Sequence, residues 1–291
     1  MHITSDSKSN ISSTSDIGDY KGLSKPVNFL GVVKSAAMVN INITRRYPAN
    51  LIGGFIQVIL FVVFFGFFAT AVTFSTLGDK DVFLFFLGGL MLVFFTDTAI
   101  WTPVNSVTRD LYNGTLEAIY FNPASRYGYF VGYIVGDTII MGAILFIPIF
   151  LVISVISGAT ISNLALIILV SATTIISLVA LGVLFSLMAI LWKQITGITG
   201  LIGVVMQFLT GAFIPVQSLP EPVQFISYIL PQTYGMDLVR YYSFNGDWNT
   251  LIPLGLEWVM LIFFALLYTL VAVFLLRKVE RHAKTKGLHL L

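Results

Sequence analysis

The sequence predicts an all-α integral membrane protein with six transmembrane helices. Of its 291 residues, 57% are hydrophobic and 10% are charged, against about a quarter charged in a soluble domain. The mean hydropathy is +0.90. Six apolar segments, 51–74, 82–101, 127–156, 164–191, 195–213 and 253–276, each supply roughly the 20 residues a helix needs to cross ~30 Å of hydrocarbon.

Taken in order, residues 1–25 are rich in Ser, Asp and Asn and lack an apolar run, so they read as a disordered tail and not a signal peptide. The transmembrane domain is expected over 26–280, followed by a basic tail at 281–291. Residues 26–46 are apolar but interrupted by Asn28, Lys34 and Asn42 and end in Arg45-Arg46. They predict a helix lying in the membrane interface, its basic end against lipid headgroups. Pro148 should kink the third span by removing a helical hydrogen bond. The segment from Gly211 to Tyr242, with Pro215, Pro220, Pro222 and Pro231, is broken too often to cross. It predicts a pair of short helices re-entering one leaflet before the sixth span.

Orientation follows from the basic residues. An inward N-terminus puts fourteen Lys and Arg inside and leaves Lys80 and Arg240 outside. Even without the three in the N-terminal tail, eleven face two. The positive-inside rule therefore places both termini in the cytoplasm of a plasma-membrane protein.

One polar interruption stands out. Between the second and third spans, RDLYNGTLEAIYFNPASRYGYF begins at Arg109. Val104, Val107 and Leu111 form an apolar stripe, Asn113-Gly114 signals a helix stop, and Thr115 can cap a second short helix containing Glu117. Asn122-Pro123 ends that helix and Ser125 can cap the next span. The pattern predicts a bent helical elbow able to transmit a push.

NGTLEAIYFNPASRYGYFVG resembles the signature of ABC-2-type transporter permeases, and GAFIPVQSLP followed by LPQTYGMDLVRYY is similar to the family's re-entrant region. The resemblance covers about 26–280 and is nearest to the drug-resistance, daunorubicin-exporter-like permeases; polysaccharide and teichoic-acid permeases share the architecture. It implies a subunit that pairs with a second copy or a paralogue and docks two separate ATPase subunits, which carry ATP and Mg. The chain has no P-loop of its own, and no cofactor or nucleic-acid partner is expected. The resemblance makes Arg109, Asp110, Asn113, Gly114, Thr115, Leu116 and Glu117 the coupling element. It makes Pro215, Pro220, Pro231, Tyr234 and Arg240 an outer gate, and exporter activity on an amphipathic, drug-like or lipid-linked substrate the function, with membrane lipids as further partners.

Asp97 and Asp137 are carboxylates within the second and third spans, where charge costs ~2.5–3.5 kcal/mol or more. Both are expected toward the cytoplasmic ends of their helices, Asp137 the deeper. There they would line the pathway or pair with Arg109 or Arg126 at an inner gate; hydration in the interface is the plainer reading, above all for Asp97. Gly128, Gly132 and Gly136 repeat every four residues, a helix-packing stripe; Gly197, Gly200 and Gly203 are spaced similarly, and either stripe could face a partner subunit. The Phe61–Phe68 and Phe83–Phe86 clusters read as lipid-facing, and Glu257 as interfacial. Two other classes were weighed. An intramembrane aspartyl protease needs Tyr-Asp and Gly-x-Gly-Asp, whereas the chain has Thr96-Asp97 and Val135-Gly136-Asp137. A channel or ion-coupled transporter usually shows repeats and several mid-membrane charges, which are lacking here. With no cysteine and its three histidines in the tails, the chain offers no thiolate, His triad or metal site.

Overall fold

The computed structural model describes residues 28–72, 81–114, 126–158, 160–191 and 196–286, and the regular elements among them are all helical. The N-terminal tail and the second half of the elbow, with Thr115, Leu116 and Glu117, lie outside these residues.

Helix α1 spans Phe29–Arg46, opened by Asn28, whose side chain accepts from the Leu30 N–H, and closed by Arg45 and Arg46. The basic pair suits the partial negative charge of a helix C-terminus. Pro48 then starts α2, Pro48–Ala71, from the first turn, where its missing N–H costs nothing. Asp81 caps α3, Val82–Tyr112, by accepting from the Phe83 N–H at 2.8 Å and the Leu84 N–H at 3.3 Å.

Helix α3 runs unbroken through Pro103 to Tyr112. The expected elbow therefore does not begin at residue 104; its first half continues the second span. Proline at 103 has no N–H for the Ala99 carbonyl four residues back. That carbonyl instead abuts Gly182 of another helix, where any Cβ would overlap it. The close crossing accommodates the orphaned carbonyl, so the helix survives its proline. The turn at Asn113-Gly114 ends it, with Gly114 left-handed at φ 68°.

The third apolar segment is continuous but not uniform. Helix α4, Arg126–Met141, passes into a π-helical turn at Gly142–Phe146 and then α5, Ile147–Ser157. The Ile147 N–H reaches back five residues to the Gly142 carbonyl. This is the expected disturbance at Pro148, taken up as a widened turn. After Gly158 come α6, Ile161–Leu191, and α7, Thr196–Leu209. At 14 residues, α7 is roughly 21 Å long, less than the hydrocarbon thickness; Gly211 at φ 80° reverses the chain. Two short helices follow, α8 at Glu221–Ile229 and α9 at Pro231–Ser243, before α10, Leu254–Lys286. Four stretches are long and apolar enough to span a membrane: Leu51–Ala71, Val82–Asp110, Ile161–Met188 and Leu254–Lys278.

Helix α3 is the axle of the molecule. Its apolar stretch is 78% buried against 11% for α2, because α4, α6, α7 and α9 all pack on it. Phe85, Phe86 and Phe65 are buried in that core, while Phe64, Phe67 and Phe68 are exposed. The aromatic clusters are therefore not uniformly lipid-facing: one side of each packs α2 against α3. Helix α9 is the other surprise. Its sequence, PQTYGMDLVRYYS, is polar, yet nearly every residue is buried among α3, α6 and α10.

Candidate functional site

Three polar assemblies lie along α3. The first is near its Arg109 end. Asp137 of α4 accepts from Asn40 Nδ2 of α1 at 2.7 Å and, through its other oxygen, from Thr102 Oγ1 of α3. Asn40 Nδ2 also donates to the Tyr133 carbonyl at 3.0 Å. One carboxylate thus ties three helices together. The approach is possible because the glycine stripe of α4 forms a groove for α1. A Cβ on Gly132 would sit 2.5 Å from Ala36 Cβ, one on Gly136 3.1 Å from Asn40 Cβ, and one on Gly128 3.3 Å from Phe29. This register makes α1 and α4 run side by side in one direction. The stripe is filled by α1 and faces no partner subunit.

Arg109 stands over the Tyr133 ring at 5.4 Å, and Tyr129 donates its hydroxyl to Asp110 at 2.5 Å. Asp110 is buried, whereas Asn113 and Gly114 are exposed. Arg126 begins α4, its side chain outside the described residues. Among the described residues, neither Asp97 nor Asp137 forms an ion pair with an arginine; both rely on neutral donors.

The second assembly is at mid-helix. Asp97 is the central residue of α3, with fifteen helical residues on either side. Its Oδ1 accepts from Gln207 Nε2 of α7 at 2.9 Å. Asp137 meets α3 at Thr102, more than a turn closer to the Arg109 end. Along α3, Asp97 therefore lies nearer the middle of the helix than the Thr102 contact of Asp137. Helix α3 extends eleven residues beyond Trp101, the expected end of the second apolar segment.

The third assembly binds α9 to the opposite end of α3. The Arg240 guanidinium lies 3.7 Å from the centre of the Phe85 ring, donates from Nε to the Phe85 carbonyl at 3.3 Å, and from Nη2 to the Ala212 carbonyl at 3.0 Å. Gly88 and Gly89 make room: a Cβ on Gly89 would fall 2.5 Å from the Ala212 carbonyl oxygen and 2.8 Å from Nη2. Arg240 is 2% exposed, so it is a buried fastener and not a headgroup ligand. Asp237 accepts from Trp248 Nε1 at 2.7 Å and the Leu251 N–H at 2.9 Å. Glu257 accepts from the Leu251 and Ile252 N–H groups and is fully buried within the protein.

Pro215 precedes the short 3-10 turn at Val216–Ser218, Pro220 precedes α8, and Pro231 opens α9. Tyr234 donates to the Tyr228 carbonyl at 2.7 Å and stacks on Phe264. Asn40, Thr102, Gln207, Asp237 and Trp248 went unnoticed in the sequence. The available signals were Ala36-Ala37 with Asn40, a small-residue face matching the glycine stripe, and the Gly88-Gly89 pair.

Among the described residues, no three His, Cys, Asp or Glu side chains converge as metal ligands would. The polar groups join helices to one another at three levels of a single central helix. Comparison with curated proteins found none that matches the chain. Residues 33–244 match the ABC-2 type transporter family, a match that includes all three assemblies except Trp248, Leu251, Ile252 and Glu257. The chain therefore belongs to the ABC-2 type transporter family and is a membrane-embedded permease of an ABC transporter.

Proposed function

We propose that the chain is the permease half of an exporter, paired with a second copy or paralogue and driven by two separate ATPase subunits that dock at the Arg109–Glu117 elbow. In this reading it crosses the plasma membrane six times, with both termini in the cytoplasm. The α4–α5 segment and α7, carried on by the turn after it, complete the set of spans; α8 and α9 re-enter the outer leaflet. Its cargo is an amphipathic, drug-like or lipid-linked molecule taken from the inner leaflet.

One observation carries the mechanism: α3 is a single helix from Asp81 to the Asn113-Gly114 turn, gripped at its far end by Arg240. A displacement of the elbow by the ATPase is passed along a rod, since a packed helix moves as a rigid body. The Asp137 node makes α1 and α4 follow that movement. At the other end the rod pulls on Arg240 and on the carbonyl of Ala212, and so on α9, the plug of the outer mouth. The apolar lining of most spans suits a cargo with large apolar surface.

The test is co-purification. The tagged chain, extracted with mild detergent, should bring down an ABC ATPase identified by mass spectrometry. The reconstituted complex should move a fluorescent amphiphile only with hydrolysable ATP. A chain that purifies alone and conducts ions without nucleotide would defeat the proposal.

A further inference from the structure

Asp97 differs from the other buried charges in being uncommitted. Both oxygens of Asp137 are occupied, by Asn40 and Thr102. Arg240 is bound to two carbonyls and an aromatic ring. A carboxylate can accept about four hydrogen bonds, yet Asp97 receives one, from a neutral amide. Among the described residues, Oδ2 has no donor and no cation stands near the group. Ionisable side chains at mid-span are costly and are kept where they serve a pathway.

The surroundings fit one kind of visitor. Trp101 follows Asp97 by four residues, on the same face of α3. The two oppose Gly200 and Gly203 on α7: Trp101 Cζ2 lies 3.2 Å from where a Cβ on Gly200 would be, and Asp97 Oδ1 3.6 Å from one on Gly203. Lacking Cβ atoms, Gly200 and Gly203 let α7 present backbone directly to Trp101 and Asp97. On the flank of α7 next to Gly203 and Gln207, Val204 and Phe208 are 52% and 44% exposed. A negative charge, an indole face and an apolar flank together recognise a cation with large apolar surface.

We infer that the α3–α7 seam is a binding site for a lipophilic monovalent cation, with Asp97 as counter-charge and Trp101 as aromatic wall. This narrows the cargo class of the exporter reading and rests on it for its transport meaning, but binding can be measured without ATP or an ATPase. Gln207 holds Oδ1 in place and leaves Oδ2 for the ligand.

The full-length chain in lipid nanodiscs is titrated with radiolabelled tetraphenylphosphonium, with uncharged triphenylphosphine oxide as comparator. The wild type should bind the cation saturably and more tightly than the oxide. Asp97→Asn, nearly isosteric and still able to meet Gln207, should weaken cation binding at least about tenfold and leave oxide binding unchanged. Asp97→Glu should retain binding within about threefold, and Trp101→Leu should lose a similar factor. Gel-filtration profiles identical to wild type show that the variants fold. Cation binding that is absent, unchanged in Asp97→Asn, or matched by the oxide overturns the inference. Absence of ATP-driven transport, measured separately in the complex, counts against the exporter reading alone.

Discussion

Arg240 is laid flat on Phe85, 155 positions away in the chain, with its guanidinium carbon 3.7 Å from the ring centre and its Nε on the carbonyl of the same residue. The pair fastens α9 to the start of the central helix α3. A buried guanidinium held by carbonyls and a π face combines charge-assisted hydrogen bonds with cation–π attraction.

Removing that fastener should be costly. Arg240→Ala removes the guanidinium's hydrogen bonds and ring contact and leaves a cavity, and should lower stability by about 2–4 kcal/mol. Arg240→Lys should recover only part of it, because an ammonium cannot fork between two carbonyls while stacking. Thermal unfolding followed by tryptophan fluorescence checks both; a wild-type Tm for Arg240→Ala would contradict the role.

The two intramembrane aspartates should separate by kind of defect. Asp137→Asn turns an acceptor of two hydrogen bonds into a group whose amide faces the donors of Asn40 or Thr102, and should cost about 1–3 kcal/mol. Asp97→Asn should leave Tm nearly unchanged and reduce transport. Equal loss of Tm in both variants would argue against the distinction.

The groove under α1 should tolerate no side chain. Gly132→Leu forces apart helices whose atoms already touch, an overpacking worth about 1–3 kcal/mol, and should expose the Arg45-Arg46 peptide bonds to trypsin. Gly31→Ala, which meets nothing within 4 Å, is the control. Cleavage rates indistinguishable from wild type in Gly132→Leu would show that α1 is held elsewhere.

Gly114 sits at φ 68°, a conformation that a β-branched residue adopts only with strain of about 1–2 kcal/mol. Gly114→Val should distort the turn that ends the rod and uncouple ATP hydrolysis from transport without preventing insertion; Gly114→Asn should be milder. The ratio of hydrolysis to transport in proteoliposomes is the measurement, and a wild-type ratio in Gly114→Val would remove the turn from the coupling path.

The absence of cysteine makes topology directly measurable. Gln217→Cys and Asn245→Cys, both at exposed positions on either side of α8 and α9, should react with an impermeant thiol reagent outside intact cells. Lys284→Cys should react only after permeabilisation. Labelling of Gln217→Cys alone from outside would mean that the α8–α9 segment crosses the membrane.

Local chemistry explains what was legible in advance. The stop at Asn113-Gly114, the disturbance at Pro148, the breaks at Pro220 and Pro231 and the glycine stripe of α4 all depend on neighbours a few residues away or on one helical face. What failed depended on distant partners. Proline 103 sits inside α3, where the carbonyl it orphans abuts Gly182 of another helix. Helix α3 runs on past that contact to Tyr112.

By itself the sequence determined an all-helical, membrane-embedded chain and where most helices start and stop, because hydropathy, caps and prolines act over a few residues. Only the tertiary structure decided which polar groups are buried and whom they meet. Helix α9 carries Thr233, Asp237 and Arg240 along one face, which local chemistry alone would leave in contact with water. It is central because Gly235 permits close approach to Thr174 of α6, Gly88 and Gly89 admit Arg240, and Trp248 and the Leu251 N–H satisfy Asp237. A buried polar group is tolerated only when its hydrogen bonds are met, and here the partners come from segments that sequence proximity cannot reveal.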